Sequence, residues 1–204
     1  MKTLFILAKV KVEIDKLKIE KISKRLPKNI AIVYSIQYKD NAIKIKNILL
    51  KKHKITKLTQ ILGCTIPKFS RDTKAILLIT DGKFHGISLV YETKLPAYIL
   101  ENNNLEKVSS KEVEILKKRQ KAAYVKFLNA ERIGIIVSSK YGQENLKKAL
   151  NFKKNLENKE SYLFISNNIN QNEFENFQID SWVNTACPRL DMNTNIINLN
   201  KIRY

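Results

Sequence analysis

Ala75-Ile76-Leu77-Leu78-Ile79-Thr80-Asp81-Gly82-Lys83 runs from an unbroken aliphatic stretch into a glycine turn, and Phe84–Thr93 then reads as a short helix. Strand, turn and helix in such quick succession are the mark of an α/β unit, and the neighbouring segments repeat the pattern. Upstream, Asn29–Ile36 reads as a strand and Lys39–Lys52 as an amphipathic helix with Ala42, Ile45, Ile48 and Leu49 on one face. Ile55–Leu62 reads as a second strand running toward Cys64, and Pro96–Leu100 as a further one. Strands that alternate with helices imply a parallel sheet.

The same plan recurs downstream. Ser109 to Asn129 is a long predicted helix, with Ser109 or Ser110 as cap, acids at Glu112 and Glu114, and Val113, Leu116, Ala123 and Phe127 facing inward. Arg132–Ser138 is a predicted strand, and Tyr141-Gly142-Gln143 turns it into a helix expected to bury Leu146, Ala149, Leu150 and Leu156. Ser161–Ser166 and Ser181–Ala186 read as strands, and Ile196–Leu199 as an edge strand or a docked tail. The expected fold is α/β: two similar small lobes, each a mostly parallel sheet flanked by helices. An orphan strand (Thr3–Val10) and a helix (Glu13 to Leu26, ended by Pro27) precede them. The expected divisions are 1–27, 28–108 and 109–204, with the two lobes read as a duplicated unit.

The chain has 204 residues, 44% of them hydrophobic, with only five glycines and four prolines, so a packed core is expected. Its net charge of +19 invites a nucleic-acid reading. Lysine far outnumbers arginine, however, and Lys, Ile and Asn are over-used even in loops such as Asn102-Asn103-Asn104. That pattern fits compositional drift better than a dedicated phosphate-reading patch. No apolar run approaches transmembrane length and no signal-peptide core is evident, so the expectation is a soluble, cytoplasmic protein without a membrane partner.

Two cysteines, Cys64 and Cys187, each follow a strand-like run near the end of a strand–helix–strand unit. Open α/β sheets place their chemistry beyond the carboxyl ends of strands, so the pair suggests a metal site assembled from both lobes. The plainer reading makes each a small buried hydrophobe. No Cys-x-x-Cys spacing supports a zinc ribbon or thioredoxin-type chemistry. Asp81-Gly82-Lys83-Phe84-His85-Gly86 offers helix N-terminal N–H groups that suit a carboxylate or phosphate. His85 there has two readings, a donor to a ligand or a cap on the turn. Lys140, Gly142 and Gln143 form a second strand-to-helix turn able to receive a polar ligand. Arg189, after Pro188, suits a carboxylate beside the sulfur site. His53 reads as a solvent-facing charge at a helix end. Walker, dinucleotide and Ser-His-Asp signatures are absent.

Leu62-Gly63-Cys64, Gly82-Lys83-Phe84-His85, Gly134–Ser138 with Lys140-Tyr141-Gly142-Gln143, and Ala186-Cys187-Pro188-Arg189 together resemble the diphthamide synthase family. The resemblance implies a 2-(3-amino-3-carboxypropyl)histidine synthase of three similar α/β domains, each giving one cysteine to a 4Fe–4S cluster that binds S-adenosylmethionine. In that family, reduction cleaves a carbon–sulfur bond of the sulfonium. The 3-amino-3-carboxypropyl radical released adds to an imidazole carbon of one histidine in translation elongation factor 2. Cys64 and Cys187 would be the second and third cluster ligands, with the turns at Gly82 and Gly142 facing the adenosylmethionine.

Residues 28–108 and 109–204 resemble the second and third family domains, and Thr3–Val10 resembles the last strand of the first, the rest of which, with its cysteine, is expected to be missing. The preferred expectation is therefore one part of a split enzyme, inactive alone. A separate chain would supply the first domain and the third cysteine, in a dimeric or higher assembly. The alternatives are a noncatalytic partner subunit of a complete synthase, a homodimer pooling four cysteines, and a basic nucleic-acid-binding protein.

Overall fold

In the computed structural model the chain forms two compact units, Met1–Val113 and Glu114–Tyr204. The structure describes residues 8–62, 65–192 and 196–202.

The first unit carries a five-stranded sheet ordered β2-β1-β3-β4-β5. Its strands are β1 (Asn29–Tyr34), β2 (Lys54–Gln60), β3 (Ala75–Ile79), β4 (Ala97–Glu101) and β5 (Asn104–Lys107). The first four are mutually parallel, and β5 pairs antiparallel with β4. Helices α1 (Lys16–Ser23) and α2 (Lys39–Leu49) cover one face, where Ile19, Leu26, Ala42, Ile45 and Leu49 pack on Ile30, Ile32, Leu77 and Ile79. Alternation along the strands sends Ala31, Val33, Ile76 and Leu78, all buried, to the opposite face. Helix α3 (Phe84–Thr93) lies there against β4, so close that a Cβ on Gly86 would stand 2.9 Å from Ile99 Cδ1.

The second unit repeats the order as β7-β6-β8-β9, all parallel. Its strands are β6 (Arg132–Ser138), β7 (Glu160–Ser166), β8 (Ser181–Asn184) and β9 (Ile196–Asn198). Helices α4 (Ser110–Asn129) and α5 (Leu146–Lys154) bring Ala123, Phe127, Ala149 and Phe152 onto Ile133, Ile135, Val137 and Val183. They occupy the places that α1 and α2 hold in the first unit. The other face has an aromatic cover instead of a helix. Phe164, Phe174 and Leu190 pack around Trp182, Ile136 and Ile196, and Phe174 stacks on the indole with centroids 4.3 Å apart.

Several expectations change. Of the predicted strand Thr3–Val10, residues 3–7 lie outside the described residues, and Ala8–Val10 are not in a strand. Residues 8–15 instead strap across the first unit. Val10 N–H donates to Gln37 O, Val12 O accepts from Asn41 Nδ2, and Glu13 O accepts from Asn103 Nδ2. Helix α1 starts late because Asp15 caps it, accepting from Lys18 N at 3.0 Å. Of the expected loop Asn102-Asn103-Asn104, the first two residues are the turn of the β4–β5 hairpin and Asn104 opens β5. Asn102 and Asn103 take φ of 47° and 61°, the left-handed geometry that asparagine tolerates in two-residue hairpin turns. Leu150, expected inside, is 42% exposed, because α5 turns Ala149 and Phe152 inward instead. His53 is half-buried, and its Nδ1 sits 3.0 Å from Pro27 O, which ties the end of α2 to the start of β1.

Gly134 shows how tightly the aromatic face is built. A Cβ there would stand 2.4 Å from Trp182 Cε3, directly across the β6–β8 register. Gly134→Ala is expected to destabilise the chain by about 1–3 kcal/mol through overpacking. Urea unfolding followed by the fluorescence of Trp182, the one tryptophan, checks this.

Asp180 locks the start of the same strand pair. Its carboxylate accepts from Arg132 N at 2.7 Å, from Glu131 N at 3.2 Å and from Arg132 Nη2 at 3.4 Å. The Arg132 backbone N–H is the largest cause that lowers its pKa below the ordinary value. A carboxyl lowered in the folded state stabilises above its unfolded pKa, and that contribution is lost as pH falls through the folded one. Melting temperature is therefore expected to drop on acidification through the carboxylate range, and Asp180→Asn to flatten that part of the profile.

Candidate functional site

In each unit the first and third strands lie side by side, and the chain leaves them toward opposite faces. After β1 it passes into α2, and after β3 into α3. After β6 it passes into α5, and after β8 into the 3-10 turn Pro188–Met192, whose Leu190 packs on the aromatic face. Loops that diverge in this way leave a crevice at the carboxyl edge, which is where open α/β sheets bind ligands. The predicted site residues that the structure describes fall at these two crevices.

In the second unit the crevice lies between β6 and β8. Ser138 Oγ accepts from Lys140 N, Gln143 N donates to Lys140 O, and Gly142 takes φ +77°. A Cβ on Gly142 would meet nothing within 4 Å, so the glycine serves the left-handed backbone rather than a close approach. Cys187 follows β8 by three residues and is a half-buried free thiol. Asn145 joins the two loops. It sits at the N-cap of α5 but does not cap it, and its Nδ2 donates instead to Thr185 O at 2.8 Å and to Gln143 O at 3.4 Å. Thr185 is fixed in turn, with both N and Oγ donating to Ile136 O. The structure thus brings Lys140, Gly142, Gln143 and Cys187 to one crevice, and Arg189 stands exposed two residues on.

Sequence reasoning missed the asparagines that hold this loop. Asn184 is buried at the end of β8, and its Nδ2 donates to Cys187 O at 2.8 Å while its Oδ1 accepts from Ala186 N at 2.9 Å. An asparagine directly after Trp182-Val183 and three residues before a cysteine was the available signal.

The first unit's crevice lies between β1 and β3. Ser35 N donates to Ile79 O, Thr80 Oγ donates to Ser35 Oγ, and the Tyr38 hydroxyl donates to Asp81 Oδ1. Gly82 has φ +72°, again with open space about it, and His85 lies in the first turn of α3 with its ring edge-on to Phe84. Lys83 is engaged by Glu106 at 2.5 Å and Glu112 at 3.5 Å, and the Glu106 hydrogen bond is the main cause that raises its pKa. A pair of carboxylates so close makes Lys83 a poor anion receptor.

Cys64 lies outside the described residues, and it follows β2 rather than β3. The two cysteines therefore do not occupy matching places. In strand register, Ile30 pairs with Ala75 as Ile133 pairs with Ser181, so Cys187 corresponds to Asp81. Among the described residues no three His, Cys, Asp or Glu side chains gather as a ready metal site. Each unit's sequence holds one cysteine.

Burial foremost, and then the Asp81 carboxylate, push the Tyr38 phenol well above its ordinary value of 10.0. A raised pKa gives stability that is fully present below that ordinary value and lost as pH rises through the folded one. Tyr38→Phe is expected to cost about 1–2 kcal/mol near neutrality. It should also remove the alkaline part of the stability loss, as read from denaturant midpoints across the phenol range.

Comparison with known proteins places this geometry. The family model described as "Putative diphthamide synthesis protein" matches residues 1–195. The 2-(3-amino-3-carboxypropyl)histidine synthase of Pyrococcus horikoshii is 29% identical over 135 residues, which is 65% of this chain and 39% of that protein. Subunit 1 of the synthase from Schizosaccharomyces pombe is 25% identical over 214 residues, 94% of this chain and 49% of the subunit. The chain thus spans about half or less of the length of these relatives. Among solved structures, Dph2 from Pyrococcus horikoshii superposes with a TM-score of 0.79 at 21% identity, covering 95% of this chain and 62% of Dph2. The structure of that protein with a 4Fe–4S cluster superposes at 0.77 and 21% identity, covering 91% and 60%. The fold is that of Dph2, and the chain belongs to the diphthamide synthesis protein family.

Proposed function

We propose that the chain is one part of a split 3-amino-3-carboxypropyltransferase that modifies a histidine of translation elongation factor 2 in the first step of diphthamide biosynthesis. The observation that carries the reading is Cys187, held at the β6–β8 crevice by a loop fastened through Asn145, Thr185 and Asn184. A half-buried free thiol at the carboxyl edge of a parallel sheet has the chemistry and exposure of a cluster ligand. Cys187 and Cys64 would supply two thiolates to a 4Fe–4S cluster, and a separate chain the third. When bound, the cluster would supply the electron that cleaves a carbon–sulfur bond of S-adenosylmethionine.

This chain's own groups would bind and orient. The turns at Gly142 and Gly82 would present backbone N–H groups to the amino-acid end of the adenosylmethionine, with Lys140, Gln143 and Arg189 giving polar contacts to it. His85 would act as a donor at the first unit's crevice. Residues 28–108 and 109–204 stand as the second and third family-like domains.

The name "subunit 1" of the Schizosaccharomyces pombe relative supports an assembly of more than one chain, and the second reading is a noncatalytic partner of a complete synthase. No helix among the described residues is long and apolar enough to cross a membrane.

Anaerobic co-expression with a short chain carrying the first domain and its cysteine separates the readings. The complex is expected to be brown, to contain iron and sulfide, and to cleave S-adenosylmethionine. Cys64→Ala and Cys187→Ala should each abolish the cleavage and reduce the iron. Cleavage that survives both substitutions removes the split-enzyme reading and leaves the scaffold.

A further inference from the structure

We infer that Asn184 and Asn198 are positioning residues for the Cys187 thiol, an inference that rests on Cys187 being a cluster ligand. The two face each other in the last registered pair of β8 and β9, and both are buried. Asn184 Nδ2 donates to Asn198 Oδ1 at 2.6 Å as well as to Cys187 O at 2.8 Å. Asn184 Oδ1 accepts from Ala186 N at 2.9 Å, and Asn198 Nδ2 donates to Pro188 O at 3.0 Å. Three of these four bonds end on three consecutive residues, Ala186, Cys187 and Pro188. A fourth restraint on the same segment is Leu190 N, which donates to Cys187 O at 3.1 Å. With the backbone held on both sides of Cys187, its sulfur has only the few staggered positions of one χ1 angle. A ligand held in place before the metal arrives loses little freedom when it binds.

The first unit provides an internal control. Counting register from Ile30 and Ile133, the residues that stand where Asn184 and Asn198 stand are Leu78 and Ile99. Both are buried and apolar. The sheet therefore does not require polar residues at this pair. Two amides appear where a cysteine follows the strand, and two aliphatic side chains where Asp81 follows instead. Buried amides are kept only when their hydrogen bonds are satisfied, and here the bonds go to the thiol-bearing segment.

The test uses the full chain without metal, carrying Cys64→Ser so that Cys187 is the sole thiol. Asn184→Leu combined with Asn198→Ile reproduces the apolar pair of the first unit. Iodoacetamide is expected to alkylate Cys187 at least about tenfold faster in this double variant, because loss of the clamp lets the segment open locally. The urea midpoint read by Trp182 should stay near that of the parent. In the co-expressed complex the same substitutions should lower the iron content and broaden the electron paramagnetic resonance signal of the reduced cluster.

An unchanged alkylation rate in the folded double variant overturns the inference. Should that variant fail to fold, Asn198→Thr carries the test. It suits a strand and removes the donation to Pro188, and an unchanged rate there also overturns the inference. The two readings fail separately. If Cys187→Ala leaves the cluster intact, the ligand assignment falls whatever the alkylation rates show. If Cys187 proves to be a ligand while the asparagine variants change neither rate nor signal, only the positioning role falls.

Discussion

The parallel pairing of the first and third strands, β1 with β3 and β6 with β8, is the constraint on which the rest depends. Parallel neighbours send both carboxyl ends to the same edge, and connections leaving toward opposite faces keep that edge open. The hydrogen bonds that then cross the gap, Tyr38 to Asp81 in one unit and Asn145 to Thr185 in the other, decide how the loops meet. The candidate residues are useful only because these cross-links hold short polar turns over an otherwise aliphatic sheet.

The two units share strand order, parallel register and a pair of helices on one face, and they diverge on the other face. α3 lies against β4 in the first unit, and a cluster around Trp182 takes the equivalent place in the second. The difference continues to the carboxyl edge. The first unit closes its β3 end with a carboxylate that accepts from a buried phenol, and the second closes its β8 end with a thiol on an amide-bound loop. The two units thus present one scaffold with differently furnished crevices.

The strongly positive charge has local outlets. Lys159 donates to Leu128 O and Ala130 O, Lys153 to Ser161 O, and Lys57 to Lys68 O, so several lysines act as staples across loops. Others pair with Asp40 and Asp72. These ammonium groups fasten loops as well as adding to the formal charge of +19.

Aliphatic runs and helical periodicity were enough to locate β1, β3, β6, α2, α3 and α4 within a few residues, because burial on a sheet face or a helix stripe is written directly into side-chain type. The turns at Gly82 and Gly142 and the cysteine that follows β8 were legible for the same local reason. Strand order was not. Nothing in the chain states that Cys64 follows an edge strand and Cys187 an inner one, since that depends on which strands pair. The Asn102-Asn103 hairpin was hidden by asparagine-rich composition, and Leu150 by a helix rotation that only packing settles. Asn184, Asn198 and Asn145 read as ordinary polar residues until the parallel register set their amides against the Cys187 loop. Local chemistry comes from sequence, whereas the partner of a hydrogen bond fourteen or forty residues away is chosen only by the folded sheet.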